Sequence, residues 1–188
     1  MAEFAHRIAA QTDIPAITSL MARAISELQS GLLSAEQIAA SAESMGLDTQ
    51  LIDDGTYFAI EENGVMVGCG GWSRRATLYG GNHATGLRDD RLLDPRREPA
   101  RIRAMYTDPA HVRRGIGRLI LRLCEDAARG AGFLRLKLMA TVAGEPLYTA
   151  CGYRVIERVE RLSGTGVAVP GAVMGKRFAP AGWPGRAS

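Results

Sequence analysis

The chain has 188 residues, of which 46% are apolar and 23% are charged, proportions typical of one ordinary globular domain over residues 1–188 rather than a large two-domain enzyme. A chain of this length buries about 70% of the surface that its unfolded form exposes, so its core needs neither disulfide bonds nor a metal ion. No apolar run approaches the roughly 20 residues that cross a bilayer, and residues 1–14 carry no basic-then-apolar leader, so we expect a cytoplasmic protein that does not enter a membrane.

The positive charge is carried almost entirely by arginine. The formal net charge is +3, and Lys137 and Lys176 are the only lysines. Arginine suits bidentate recognition of phosphate or carboxylate, although so skewed a ratio can equally reflect the base composition of a genome. Cys69, Cys124 and Cys151 lie far apart without a paired histidine spacing, which favours buried, reduced thiols over a zinc site or a disulfide framework. We expect no metal.

The N-terminal part of the chain predicts a strand, two helices and a hairpin. The strand covers residues 6–10, and a helix begins near Asp13 because apolar residues then recur at helical spacing. Ser34 is placed to cap a second helix. The pattern predicts strands at residues 56–61 and 65–72, joined by an Asn-Gly turn whose positive φ angles suit a hairpin.

Residues 73–99 form a polar, irregular segment that is longer than most loops in compact domains, and such segments are commonly functional or disordered. Regular structure resumes at 101–106, where Ile102, Ala104 and Tyr106 alternate with residues 101, 103 and 105 as in a half-buried strand. Pro109 ends this strand.

A strongly amphipathic helix then runs from Ile116 toward Gly130 and Gly132, either of which can terminate it. An alternating strand at 133–139, a short helix over 144–151, and two final strands near 153–161 and 167–178 complete the elements. The strand, helix and strand around residue 120 are expected to form a parallel βαβ unit.

The turn before the amphipathic helix is the strongest candidate for a binding site. Arg113-Arg-Gly-Ile-Gly-Arg118 lies between a strand end and a helix start, where backbone N–H groups and the helix dipole can converge on an anion. Glycine lets a phosphate approach, and the arginines would add charge-assisted hydrogen bonds. The alternative is a turn that only joins two elements, with solvated arginines. A dinucleotide fingerprint needs glycine at Ile120 and a Walker loop needs Lys-Ser/Thr after its last glycine, and both are missing.

With this turn on a βαβ unit that follows a hairpin, the sequence resembles the GNAT superfamily of acyl-CoA-dependent N-acetyltransferases over most of its length. The family signature Gln/Arg-x-x-Gly-x-Gly/Ala corresponds to Val112-Arg-Arg-Gly115-Ile-Gly117, with Val112 in place of the usual Gln or Arg. Residues 145–153 resemble the family's Leu-Tyr followed by Gly-aromatic, and Thr141 stands nearest to the position of an Asn that often precedes that Tyr.

The resemblance implies an α/β fold of the α+β mixed-sheet type. A central, mostly antiparallel sheet of about seven strands would contain a splayed parallel pair and be flanked by about four helices. The implied activity is transfer of an acetyl group from acetyl-CoA to a primary amine of a small molecule or protein, by direct attack in a ternary complex. A non-catalytic acyl-CoA sensor on the same fold is the alternative. The residues implied in coenzyme binding are Met105, Tyr106 and Thr107 through their main chain, together with Arg113, Arg114, Gly115, Ile116, Gly117 and Arg118.

Tyr148 is the candidate general acid, because a phenol stays protonated at neutral pH and can protonate a leaving thiolate. Packing in the core is its alternative role. Glu145, His83 and Glu98 could deprotonate the acceptor, but an ordinary structural role is the better interpretation of all three.

Residues 73–98 and the two N-terminal helices are expected to select the acceptor. Arginines in this segment could favour an acidic acceptor, but interleaved aspartates also fit a mixed, solvated surface. Nucleic acid is a disfavoured partner because no basic stripe interleaved with aromatic residues is present. A homodimer, with the last strands as exchange surfaces, is an expectation from the resemblance alone.

Overall fold

A computed structural model describes residues 4–178. Seven strands and five α-helices follow one another within this range: β1 (Ala5–Ile8), α1 (Ile14–Glu27), α2 (Ala35–Ser41), α3 (Thr49–Asp53), β2 (Tyr57–Glu62), β3 (Val65–Ser73), β4 (Ala100–Thr107), α4 (Ile116–Gly130), β5 (Arg135–Thr141), α5 (Glu145–Ala150), β6 (Arg154–Leu162) and β7 (Ala168–Arg177). The predicted fold class is confirmed. The helix that the sequence did not predict is α3, whose 5 residues are too few to show a helical period.

Local caps explain where the N-terminal helices begin. The Ser34 hydroxyl accepts a hydrogen bond from the Gln37 amide, and the Gln37 side chain accepts one from the Ser34 amide, which closes a capping box at the start of α2. The Asp48 carboxylate accepts a hydrogen bond from the Gln50 amide at 3.1 Å and caps α3. The predicted start of the second helix after Ser34 is therefore confirmed.

The strands form one sheet in the order β1-β2-β3-β4-β5-β7-β6, and every neighbouring pair is antiparallel except β4 and β5. The register of the parallel pair consists of Ala100 opposite Leu136 and Arg101 opposite Lys137. Beyond Arg101 the two strands no longer pair, so the sheet opens toward their carboxyl ends. This is the predicted mixed sheet with a splayed parallel pair, joined by the α4 crossover.

A bulge in β4 changes which residues share a face. Cys69 lies opposite Tyr106 and Gly71 opposite Arg103, so one residue of β3 faces two residues of β4. Ala104, within the bulge, has a φ of 49°, and its carbonyl accepts a hydrogen bond from the Tyr57 hydroxyl at 2.7 Å.

The extra residue overturns the predicted alternation in this strand. Ile102 packs in the core beneath α4, whereas Tyr106 packs in the core beneath α1, on the opposite face of the sheet. The expectation that Ile102 and Tyr106 share one face is wrong because the bulge shifts the two-residue period by one. Arg103, assigned by that alternation to the solvated face, is buried.

The two faces of the sheet are covered by different helices. On one face α4 packs against β3, and on the other α1 and α3 pack against the same strand. Gly70 permits the close approach of α4, since a Cβ there would lie 2.6 Å from Ile120 Cγ2. This contact lets α4 pack directly on β3. No helix within residues 4–178 is long and apolar enough to span a bilayer.

Candidate functional site

A cavity of about 800 Å³ occupies the opening between β4 and β5. The amino end of α4, the carboxyl half of β4 and helix α5 surround one part of it, and segments 41–46 and 78–80 together with β6 and β7 surround the other. Nine of the ten sequence-predicted site residues line it: Met105, Tyr106, Thr107, Arg113, Gly115, Ile116, Gly117, Arg118 and Tyr148.

The amino end of α4 presents free backbone donors. Arg113 and Gly115 have φ angles of 63° and 89°, and these left-handed residues lead directly into the first turn of the helix. Within residues 4–178 no protein group accepts a hydrogen bond from the amides of residues 113–118, and the Leu119 amide is the first to bond, to the Gly115 carbonyl. Unpaired amides at the positive end of a helix dipole form a binding site for an anion.

The two glycines of the turn meet different physical needs. Gly115 requires glycine for its backbone, since its φ of 89° strains any residue with a Cβ, although a Cβ there would meet no atom within 4 Å. Gly117 instead makes room for α5, since a Cβ there would lie 2.8 Å from Leu147 Cδ2 and the leucine side chain would have to shift. The sequence presents both as one motif, and the structure separates a conformational role from a packing role.

The edge of β4 that faces β5 is unpaired where it borders the cavity. The last β4 residue in register with β5 is Arg101, while Met105, Tyr106 and Thr107 line the cavity farther along the strand. An extended ligand can add to such an edge through main-chain hydrogen bonds, as an additional strand would.

Tyr148 lies on α5 and is 9% exposed. Its hydroxyl donates a weak hydrogen bond to Met105 Sδ at 3.8 Å, so the phenol meets the unpaired end of β4 inside the cavity. Burial raises the pKa of Tyr148 well above its ordinary value, which keeps the phenol protonated. Tyr153 packs edge-to-face on the Tyr148 ring with centroids 5.9 Å apart and holds the ring in place.

Thr141 positions the start of α5. Its hydroxyl accepts a hydrogen bond from the Gly144 amide at 3.1 Å at the turn that leads into the helix. The residue that stands nearest to the family's usual Asn therefore stabilises the turn that carries Tyr148, and it also lines the cavity.

Arg114 is the predicted site residue whose side chain lies elsewhere. Its guanidinium forms a bidentate ion pair with Glu62, with contacts of 2.5 and 2.8 Å, and lies over the Phe4 ring. It does not line the cavity. Arg114 is therefore placed to contribute its backbone amide to the turn, while its side chain anchors the turn to β2.

The three candidate bases also lie outside the cavity. Glu145 pairs with Arg158 at 2.7 Å, which lowers its pKa, and Glu98 pairs with Arg91 at 2.9 Å, which lowers its pKa to about 2. His83 Nε2 lies in hydrogen-bond contact with the Ala42 carbonyl at 3.1 Å. Among residues 4–178, no Asp, Glu or His lines the cavity.

The far end of the cavity contains two arginines that were not predicted as site residues from the sequence. Arg103 and Arg161 line it, with Tyr79, Gly80 and Gln29 nearby in the wall. Arg103 is 6% exposed and forms an ion pair with Asp48 at 2.8 Å. A buried arginine in the middle of a strand has no distinctive sequence signal, and the bulge that follows Arg103 obscured its environment.

Comparison with solved structures identifies proteins of the same fold. A GCN5-related N-acetyltransferase from Rhodopseudomonas palustris is 20% identical, covering 95% of this chain and 98% of its own, with a TM-score of 0.69. The PaiA N-acetyltransferase from Thermoplasma acidophilum, solved with coenzyme A, is 12% identical over 94% of this chain and 99% of its own, with a TM-score of 0.62.

A third similar structure is YncA, a putative acetyltransferase from Salmonella typhimurium solved with acetyl-CoA, which is 21% identical over 96% of this chain and 97% of its own, with a TM-score of 0.61. No curated protein sequence matches the chain significantly. The profile of the acetyltransferase (GNAT) family matches residues 22–153, a range that contains α4, α5 and the whole of β4. The chain therefore belongs to the GNAT family of acetyltransferases.

Proposed function

We propose that the chain transfers an acetyl group from acetyl-CoA to a primary amine, by direct attack of the amine within a ternary complex. The observation that carries this proposal is that one cavity joins the free amides of α4, the unpaired edge of β4 and the Tyr148 hydroxyl. Acyltransferase activity follows from membership of the GNAT family.

The amino end of α4 and the β4 edge would hold the co-substrate. The amides of residues 113–118 suit the diphosphate of coenzyme A, and the side chains of Arg113 and Arg118 add charge to the same wall. The β4 edge at residues 105–107 suits the amide-containing arm of the coenzyme. The similar structures from Thermoplasma acidophilum and Salmonella typhimurium were solved with coenzyme A and acetyl-CoA, which supports this choice of ligand.

Acetyl-CoA would supply an acetyl group activated as a thioester. The amine nitrogen forms a bond to the acetyl carbon, the carbon–sulfur bond breaks, and the leaving sulfur needs a proton. Tyr148 Oη holds a proton at the cavity wall next to β4, and its raised pKa means that the proton is present at neutral pH. Tyr148 therefore acts as the general acid in this proposal.

The acceptor must lose a proton before it can attack. Because no Asp, Glu or His among residues 4–178 lines the cavity, the proton leaves to solvent rather than to a resident side chain. Arg161, which has no anionic partner among residues 4–178, lines the same cavity, and nearby positive charge disfavours the ammonium form of a bound amine.

Two measurements on the purified chain test the proposal. Calorimetric titration with coenzyme A, acetyl-CoA and NAD is expected to show binding of the first two and none of the third. Thiol release from acetyl-CoA is then followed with a panel of primary amines. Absence of binding of either CoA species contradicts the proposal, whereas tight binding without transfer to any amine identifies an acyl-CoA sensor instead.

A further inference from the structure

The far end of the cavity, opposite α4, carries charge of one sign. Arg103 and Arg161 both line it, and no acidic or histidine side chain of residues 4–178 does. A cavity with this lining repels di- and polycationic amines and attracts an anion. The two arginines differ in how their charges are balanced.

Arg103 belongs to an ion-pair cluster of two arginines and two aspartates, Arg88 also pairing with Asp90 at 3.3 Å. Asp48 lies between two guanidinium groups, 2.8 Å from Arg103 and 2.9 Å from Arg88, so one carboxylate faces two cations. The side chains of Asp48 and Arg103 are only 1% and 4% exposed. Arg103 also donates a hydrogen bond to the Gly80 carbonyl at 2.5 Å, which fixes the guanidinium at the cavity wall.

Arg161 has no anionic partner in the structure. Within residues 4–178 it forms no ion pair and no side-chain hydrogen bond, and its guanidinium carbon lies 5.3 Å from the centre of the Tyr79 ring. Glu43 lies close enough to influence the pKa of Arg161, but the Glu43 carboxylate accepts a hydrogen bond from the Gly164 amide at 2.7 Å and does not pair with Arg161. A half-buried guanidinium of this kind has five donors arranged for a carboxylate.

The two arginines act on the same region of the cavity. Tyr79, which lies under Arg161, is the chain neighbour of Gly80, whose carbonyl receives the Arg103 hydrogen bond. The aromatic ring and the buried ion-pair cluster thus hold both cations beside one short segment of the wall.

Two contacts beside this end of the cavity join the α2 region to the β6–β7 hairpin. The Gln37 side chain of α2 donates a hydrogen bond to the Ala168 carbonyl of β7 at 2.9 Å, and Glu43 binds the Gly164 amide in the β6–β7 turn. Segments 41–44 and β7, which line the cavity, are thereby held together, and this arrangement suits a small molecule better than a long polypeptide.

From this geometry we infer that the acceptor is a small amine that carries a carboxylate, as a free amino acid does, and that Arg161 binds this carboxylate. Arg103 lines the same wall but stays paired with Asp48, so of the two Arg161 is the cation with no anionic partner among residues 4–178. The inference rests on the proposed acetyl transfer and names the acceptor class for that same cavity. Arg161 is thereby a specificity-determining residue.

Matched pairs of acceptors test the inference. With saturating acetyl-CoA, kcat/KM is measured for the common amino acids, for their carboxamide counterparts, and for a linear diamine. A charged hydrogen bond lost with the carboxylate corresponds to a preference of about 10- to 100-fold for the free acids over the amides. The preference is expected to appear mainly in KM, because the carboxylate is remote from the reacting carbon.

Variants of β6 identify the residue responsible. Arg161→Gln is expected to remove most of the preference for carboxylates and to leave the rates with carboxamides nearly unchanged, while Arg161→Lys retains part of it. Arg154→Gln, on the same strand but away from the cavity, is the control and should keep the full preference. Circular dichroism and acetyl-CoA titration establish that each variant is folded.

The outcomes separate this inference from the proposed function. Equal or better use of carboxamides, diamines or peptide amino termini overturns the inference and leaves acetyl transfer intact. Binding of acetyl-CoA with no transfer to any carboxylate-bearing amine also overturns it. Failure to bind acetyl-CoA at all overturns the proposed function instead. If the Arg161→Gln enzyme keeps the full preference for free acids over carboxamides, a group other than Arg161 binds the carboxylate.

Discussion

The two ends of the cavity are built from different kinds of groups. The end at α4 is built from main-chain groups of one continuous segment, residues 112–118, next to the strand edge at 105–107. The far end is built from side chains of separate segments, with Arg103 on β4, Arg161 on β6 and Asp48 before α3. A main-chain site tolerates a change of side chain such as Val112, whereas a side-chain site changes its specificity with a single substitution.

The largest effect is expected from breaking the buried cluster at the far end. Asp48→Asn leaves Arg103 buried without its countercharge, and losing one partner of a buried ion pair costs about 3–5 kcal/mol in the free energy of unfolding. The contact between Asp48 Oδ2 and Arg103 is an ion pair that lacks hydrogen-bond alignment. The loss of stability in Asp48→Asn is therefore chiefly electrostatic. Urea unfolding monitored by circular dichroism measures it.

Glu98→Gln is the matched control for that substitution. It removes a carboxylate that pairs with an arginine at the surface, where solvent screens the charges, so its unfolding midpoint should stay close to that of the wild type. Equal stability of the Asp48→Asn variant and the wild type would show that the far end is not held together by this cluster.

A smaller but specific effect is expected at the point where the two ends meet. Tyr148→Phe removes the proton that the proposed mechanism transfers to the leaving sulfur, and general acids contribute about 100-fold or more to the rate. We expect kcat to fall by about that factor while acetyl-CoA affinity changes little. Tyr153→Phe, which alters the packed neighbour outside the cavity, is the control. An unchanged kcat in Tyr148→Phe assigns the tyrosine to packing alone.

The α4 end is best tested through its backbone. Gly115→Val forces a β-branched residue to a φ of 89°, and left-handed strain of about 1–2 kcal/mol should distort the turn and weaken coenzyme A binding about tenfold. Gly55→Val imposes comparable strain at a φ of 66°, outside the cavity. If both variants lose stability but bind coenzyme A equally well, the amides of this turn do not hold the coenzyme.

The smallest expected effect is that kcat/KM does not fall at alkaline pH. Burial raises the pKa of Tyr148, so the protonated and active form persists as pH rises through the ordinary tyrosine range. The acceptor amine meanwhile loses its proton, so kcat/KM should rise with pH and then level off without a fall up to about pH 10. A descending limb that begins near neutral pH would point to a different acid.

Much of the site could be predicted because its signals are local. Gly115 is required by its own φ angle, and the amphipathic period of residues 116–130 marks the helix that it begins. The positions of β4 and β5 followed from short alternating patterns. The bulge at Ala104 could not be predicted from the local pattern, because its partners, including the Tyr57 hydroxyl, lie far away in the sequence, and it moved Tyr106 to the opposite face from Ile102.

The sequence by itself determined the order of the strands and of every helix except α3, the turn before α4 and the resemblance that named the family, because each depends on residues close together along the chain. Tertiary structure alone decided that Arg103 is buried against Asp48, that Arg114 turns away to Glu62, and that Arg161 faces the cavity. Charges separated by dozens of residues attract or repel only after folding brings them together. The proposed choice of acceptor therefore depends on three-dimensional placement, whereas the proposed coenzyme site depends on a short segment of backbone.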